Sequence, residues 1–427
     1  MKMRITFGST VLIMLTLLWA GMAQAASTYI VAGALVDPIN GKVIRNPVVE
    51  IEGDRVVSVS SGGGAPDNVE VIDLGSATLL PGLADLHTHL TFNVTDIGFA
   101  GLAVSTTDEA IRGVVNARKT LMAGFTSARN LGAAGYADVS VRDAIEDGSI
   151  PGPRLQVSGV SLGSTGGHCD NNKLPVEYGV SSAGVANGPW AARQKVRENK
   201  KYGADVIKFC ATGGTTSKGT KPGVRQYTLE EMQAIVDEAH TLGLPVAAHA
   251  HGAEGILFAL KAGVDSIEHT SLIDDEGFEL ARKNGTFLSV NAYTPLYMMA
   301  KGAEMGMLPE SIEKASQLAE KRLANYRKAN KLGAKIVYGS DSATYPHGDN
   351  AKQFSVYVDL GMTPMQAIQS GTTFAAESQR TVGDTGAVPA GYYADVIAVE
   401  GDPLEDISVL EDVMFVMKGG QVYKSPE

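Results

Sequence analysis

The sequence predicts an α/β protein: a (β/α)8 barrel of the TIM type with a small β-sandwich module built from both chain ends. Three observations predict it. The middle of the chain repeats a phrase of helix-like sequence, then a glycine, then four to seven strand-like apolar residues. Five of the eight histidines, His87, His89, His249, His251 and His269, fall at or just past the ends of such apolar runs. The two flanks instead carry short alternating runs split by Asp, Gly and Asn turns.

Residues 1–25 open with Lys2 and Arg4, continue through an apolar run from Val11 to Trp19 and end in Ala23-Gln24-Ala25. A basic start, a short apolar stretch and an A-x-A site are the marks of a secretory signal peptide. The run is too short to span a bilayer, which takes ~20 apolar residues. Export across the inner membrane to the periplasm is therefore expected, with no membrane attachment after cleavage.

Residues 26–80 and 385–427 are assigned to the β module on runs such as Val48-Val49-Glu50-Ile51 and Val413-Met414-Phe415-Val416, and 81–384 to the barrel. Eight barrel strands are read at Leu83–His89, Phe125–Arg129, Arg154–Gly159, Asp205–Cys210, Pro245–His249, Asp265–His269, Thr286–Asn291 and Lys335–Asp341. The joints are Gly124, Gly203, Gly243, Gly263, Gly285 and Gly333, because a glycine just past a helix supplies the left-handed residue that turns the chain toward the next strand. The best-defined helix starts at Thr228, where Thr-Leu-Glu-Glu forms a capping box and Leu229, Met232, Ile235, Val236 and Ala239 share one face. An open doubly wound sheet would call for an early phosphate-binding turn, and neither GxGxxG nor GxxxxGK[ST] is present. The glycine-rich stretches 163–167 and 213–223 read instead as long active-site loops.

With 427 residues, 44% hydrophobic and 19% charged, the chain is large enough for one main core and a smaller module. Its formal net charge is −11, and the leader carries only basic charges, so the mature chain is more acidic still. That balance argues against nucleic acid or an anionic membrane as the partner. Cys169 and Cys210 allow at most one bridge, which a core of this size does not need, so both are expected as free thiols.

In Leu86-His87-Thr88-His89 the imidazoles are two apart on a strand and point to one side. Two neutral imidazoles converging inside a barrel suit a borderline metal such as zinc. Lys208 lies in the apolar run Ala-Asp-Val-Ile-Lys-Phe-Cys-Ala, where burying an ammonium would cost several kcal/mol. It either snorkels to water or, beside metal-binding histidines, reacts when neutral with CO2 to give an anionic carbamate that bridges two cations. His249 and His251 again share one face; His249 is read as the ligand and His251 as a neighbour or substrate contact. His269 ends the next strand, and Asp341 ends the last, with Gly339 leaving room on the same face. An aspartate at the end of a barrel strand points to function.

Leu80–His89, Lys208, His249, His269 and Gly-Ser-Asp341 together resemble the amidohydrolase superfamily, and the resemblance extends through the tail Gly-Tyr-Tyr-Ala-Asp-Val-Ile-Ala-Val. Val-Ala-Ala-His-Ala-His-Gly and Pro-His-Gly are similar to the branch of Xaa-Pro dipeptidases and ochratoxinase-like carboxypeptidases. The resemblance implies two divalent cations, zinc by default. His87, His89 and Asp341 would hold one, His249 and His269 the other, and Lys208 as N6-carboxylysine would bridge them. It implies hydrolysis of an amide or peptide bond next to a C-terminal amino acid in a small substrate, ochratoxin-type amides included. A hydroxide shared by the cations would attack, Asp341 would carry the proton, and His168 and Tyr227 would stabilise the oxyanion. A homo-oligomer is implied as well. Arg129, Arg225 and Lys221 are candidates for a substrate carboxylate, and His347 for loop support or substrate contact.

Two other readings compete. A cyclic-amide hydrolase resembling imidazolonepropionase would run on one metal without the bridging lysine, so Lys208 weighs against it. A non-catalytic metal-binding scaffold should have lost ligands first, and all six positions are intact.

Overall fold

A computed structural model describes residues 27–426, and the leader expected at 1–25 lies outside the described residues. Eight parallel strands form the barrel: β1 (Leu83–Thr88), β2 (Phe125–Asn130), β3 (Arg154–Val157), β4 (Ile207–Cys210), β5 (Val246–Ala250), β6 (Ser266–His269), β7 (Phe287–Val290) and β8 (Ile336–Tyr338). All eight lie where the glycine-punctuated phrase put them. Regular pairing runs β1 to β3 and β4 to β8. The two seams are closed by single bridges. Leu162, past β3, pairs with Phe209 of β4, and Ser342, past β8, pairs with Thr88 of β1. At the second seam the Asp341 N–H donates to the His87 carbonyl at 2.7 Å.

The six joint glycines all adopt positive φ, between 66° and 97°. In that region a Cβ would be strained, so each glycine reverses the chain from helix to strand without cost. The helix Leu229–Thr241 begins at the expected capping box, with Thr228 Oγ1 accepting from Glu231 N, and buries Met232, Ile235, Val236 and Ala239 against the barrel. Strand and helix side chains meet in one large core that includes Phe125, Phe209, Ile235, Val246, Leu288 and Tyr338.

The flanks build two sheets. One is ordered Arg55–Ser61, Pro47–Glu52, Thr28–Val31, Glu70–Asp73; the other joins both chain ends as Gln421–Lys424, Val413–Lys418, Val396–Val399, Thr78–Pro81, Ala34–Asp37, Lys42–Arg45. Ile30, Val49, Val56, Leu79, Ala398 and Phe415 fill a second core between them. Tyr393 is sandwiched between the guanidiniums of Arg55 and Arg154, each 3.6 Å from its ring centre, which fastens the module to β3. Among the described residues no helix is long and apolar enough to cross a membrane.

The cysteines depart from expectation. Cys169 and Cys210 form a disulfide, Cα atoms 5.9 Å apart, and neither thiol is free. Core size does not decide this: the two residues lie 41 apart in sequence and are brought together by the loop after β3.

Candidate metal centre and active-site cavity

The C-terminal ends of the strands open into one cavity of about 720 Å³. His87, His89, Lys208, His249, His251, His269 and Asp341 all line it, although they come from five strands and their exits. Two groups of donors converge there. His87 Nε2 and His89 Nε2 each lie 3.4 Å from Asp341 Oδ1. His249, His251 and His269 bring their donor atoms within 4.8 Å of one another. The rings of His87 and His269 are 5.0 Å apart, so the groups are neighbours.

The chemistry of these donors fits cations. Burial, aided by Lys208, holds His87 down to about 4. Burial holds His249, His251 and His269 well below the usual histidine range; His168 and His251 further depress His249, Arg322 and His168 further depress His251, and His249 and His251 further depress His269. The imidazoles are therefore neutral and offer lone pairs at physiological pH. His249 Nε2 and His269 Nδ1 are buried without any hydrogen-bond partner, as expected of nitrogens that face a metal. Burial pushes Asp341 up, but His87, His89 and Lys208 outweigh it and keep the carboxyl below its ordinary value. Lys208 is 3% exposed, and burial lowers it to about 8 against the pull of Glu268 and Asp341. A fraction of the amine is then neutral, the form that adds CO2.

Backbone strain collects at the same place. His269, Thr270, Asp341 and Ala343 have φ of 75°, 48°, 60° and 99°. Positive φ in non-glycine residues costs on the order of 1–3 kcal/mol each and persists where surrounding structure fixes it. Here it turns His269 and Asp341 over the barrel mouth.

Residues 78–423 match the sequence profile described as the amidohydrolase family. Ochratoxinase from Aspergillus niger is 35% identical over 438 aligned residues, covering 95% of this chain and 88% of that one. Among solved structures, a Xaa-Pro dipeptidase with methionine bound in its active site superposes at TM-score 0.88 and 36% identity, covering 94% of this chain and 100% of that one. A prolidase complexed with N-methylphosphonate-L-proline superposes at 0.86 and 31%, with coverage of 94% and 100%. The chain belongs to the amidohydrolase family. It is a metal-dependent hydrolase acting on amide bonds.

Around its histidines this amidohydrolase places groups that sequence reading missed. Glu268 is fully buried; its Oε2 sits 2.9 Å from His87 Nδ1 and its Oε1 accepts from Arg129 Nη2 at 2.8 Å and Ser266 Oγ at 2.7 Å. Burial would raise this carboxyl, but Arg129, His87 and Lys208 hold it far below the usual range. Asp85 ties the ends of the barrel together, accepting from Ser340 N at 2.9 Å, His87 N at 3.2 Å and Asn350 Nδ2 at 2.7 Å. Arg322, 2% exposed, reaches the cavity wall and donates to Tyr326 Oη and the Asn291 carbonyl. Each is a charge on an otherwise buried strand or helix face, which is the signal that marks it in the sequence.

His168 lines the cavity. Its Nδ1 is 2.8 Å from Ser217 Oγ, and its ring lies 4.2 Å from that of His249. Burial lowers it to about 4. Tyr227 is buried against Phe209 and stands off the cavity wall, its hydroxyl without a partner.

The carboxylate candidates are corrected. Arg129 is 2% exposed and spent on Glu268, Ser266 and the Leu86 carbonyl. Arg225 is spent on Glu254 and the Tyr227 carbonyl, Lys221 is exposed, and none of the three lines the cavity. His347 lies off the wall as well, its Nε2 bonded to the Phe92 carbonyl at 3.0 Å, which ties down the loop after β8. The cations on the wall besides Lys208 are Lys173, Lys218 and Arg322.

Proposed function

We propose that this amidohydrolase cleaves the amide or peptide bond joining an acyl group to a C-terminal amino acid, as a dipeptidase or carboxypeptidase whose substrates include ochratoxin-type amides. The observation that carries the proposal is the convergence of two imidazole groups beside Lys208 in a single cavity of about 720 Å³. That volume suits a small molecule with a bulky acyl group. The ochratoxinase and prolidase relatives support the same substrate class.

His87, His89 and Asp341 would hold one cation and His249 and His269 the other, with Lys208 as a carbamate between them; zinc is the default for this donor set. When bound, such a pair supplies Lewis acidity toward the amide carbonyl and a water acidified to near neutrality. Asp341, ionised at neutral pH, accepts the proton from the nucleophilic water and passes it to the departing amine. The contact of His168 Nδ1 with Ser217 Oγ at 2.8 Å leaves Nε2 to the cavity, where in the Nε2-protonated form it would donate to the developing oxyanion. The Tyr227 hydroxyl lies off the cavity wall without a partner, so its assignment as a second oxyanion donor requires the bound substrate to reach it. His251, held by Ser271 at 2.7 Å, sits beside His269 as a positioning or substrate-contacting group. Lys218 and Arg322 are the wall cations available to a substrate carboxylate. The leader directs export to the periplasm, where the protein acts as a homo-oligomer.

Metal analysis by mass spectrometry, combined with hydrolysis of peptides ending in Pro, Phe, Arg or Lys, tests the reading. Two metals with peptide turnover are expected. One metal with lactam turnover would favour the imidazolonepropionase-like alternative, and neither would favour a scaffold. Lys208→Ala should lose metal and activity and regain part of both with small carboxylic acids. Full activity with two metals and no such acid would remove the bridging role.

A further inference from the structure

The disulfide runs through the active-site cavity. Cys210 ends β4 two residues past Lys208, and both side chains face the cavity, as strand alternation requires. Its partner Cys169 directly follows His168 and also lines the cavity. The bond thus pins a long excursion between β3 and the helix Pro189–Lys201 to a barrel strand, next to a loop residue read as an oxyanion donor.

Asp170 and Asn172 tie this loop to itself through Gly166, Gly167, Ser181 and Ser182, but few bonds join His168 to the rest of the site. Its backbone N–H donates to Gln226 Oε1 at 2.9 Å and its Nδ1 meets Ser217 Oγ at 2.8 Å. Both partners belong to the second glycine-rich loop, which has no helix or strand between Cys210 and Leu229. Hydrogen bonds of this kind are weak restraints beside a covalent crosslink. The two loops are also shaped around this unit. A Cβ on Gly163 would lie 2.7 Å from Cys169 Cβ, and one on Gly214 would overlap the His168 ring.

We propose that the Cys169–Cys210 disulfide is the positioning element for His168, so that turnover depends on oxidation of this cysteine pair. The bond fixes the loop so that the imidazole stands beside His249 with Nε2 free for substrate. The inference rests on the hydrolase reading above. Formation removes two electrons and two protons from the thiols; a disulfide-bearing oxidant accepts them and leaves as a dithiol. Without the crosslink the histidine ligands keep their strand-end positions, and the site holds metal but turns over slowly. A displacement of about 1 Å at a positioned group costs roughly 100-fold in rate.

The test is a mutant cycle on the full-length, metal-loaded enzyme: Cys169→Ser with Cys210→Ser, His168→Ala, and all three together. With His168 present, loss of the disulfide should lower kcat roughly 10- to 100-fold, leaving KM and metal content nearly unchanged. In the His168→Ala background the same loss should cost no more than about twofold. Equal losses in both backgrounds, or no loss in either, would overturn the proposal, because a merely structural crosslink acts regardless of residue 168. If the double variant does not fold, reduction of the folded wild type with a phosphine replaces it: kcat should fall and return on reoxidation, with His168→Ala unresponsive. Amide hydrogen exchange at 166–170 should accelerate on loss of the bond, and unchanged protection would refute the proposal. Because that measurement needs no substrate, it separates failure of the proposal from failure of the hydrolase reading.

Discussion

Replacing Glu268 by Gln tests how the first imidazole is prepared for metal. Glu268 Oε2 lies 2.9 Å from His87 Nδ1, a separation at which the carboxylate's charge favours the imidazole proton on Nδ1 and leaves the Nε2 lone pair facing Asp341 and His89. A glutamine has one oxygen, and Arg129 at 2.8 Å claims it. Its amide nitrogen then donates to His87 Nδ1 and drives the proton to Nε2, the position a cation needs. Removing such a support lowers metal affinity by about 10- to 100-fold. The substitution also strips Arg129, 2% exposed, of its counter-charge, and breaking a buried pair costs about 3–5 kcal/mol. Chelator competition should therefore show weakened binding of at least one metal, and urea denaturation of the metal-free protein should show lost stability. Unchanged affinity would refute the tautomer argument even if stability fell. Unchanged stability would refute the claim that Glu268 balances Arg129.

Gly339→Ala would push a methyl into Ser289 Oγ and to 2.9 Å from His87 Cβ. Overpacking of this kind costs about 1–3 kcal/mol, and reduced metal content by mass spectrometry should accompany the loss in denaturation. Tyr227→Phe removes a buried hydroxyl that has no partner, so the melting temperature should hold or rise while kcat/KM falls by roughly tenfold or more; equal kinetics would end its assigned role. Asp138, 1% exposed, has its carboxyl raised by burial to about 6, despite bonds from Asn130, Gly159 and Val139. Between the unfolded value near 3.9 and about 6 the folded state binds more protons, so this group favours the fold at low pH and disfavours it as pH rises through 6. Relative to Asp138→Asn, the metal-free wild type should gain about 2 kcal/mol between pH 7 and pH 4 in denaturant titrations; a flat difference would refute the assignment.

Much of the site was legible because it sits on strands. A two-residue repeat fixes which side a side chain faces, so His87 with His89 and His249 with His251 could each be given one face from spacing, whereas the roles of His269 and Lys208 came with the family resemblance. Loop residues carry no such period. His168 reached the cavity as the family resemblance implied, whereas Arg225 and Lys221 did not and His347 took the loop-supporting one of its two readings, since nothing in a loop sequence encodes its path. Arg129 failed for another reason: its strand position was right, but Glu268 on β6 takes up its charge, and that partner is 139 residues away.

The sequence by itself determined the eight strands, the left-handed glycines between helix and strand, the chain-end β runs and the donor types at the strand ends, because each follows from local periodicity or local backbone sterics. Only the tertiary structure decided which charges are spent on one another, where His269 and Asp341 bend into positive φ, and that Cys169 and Cys210 meet. Those outcomes depend on distances between segments far apart in the chain. Such distances are fixed when the barrel closes, and no local pattern records them.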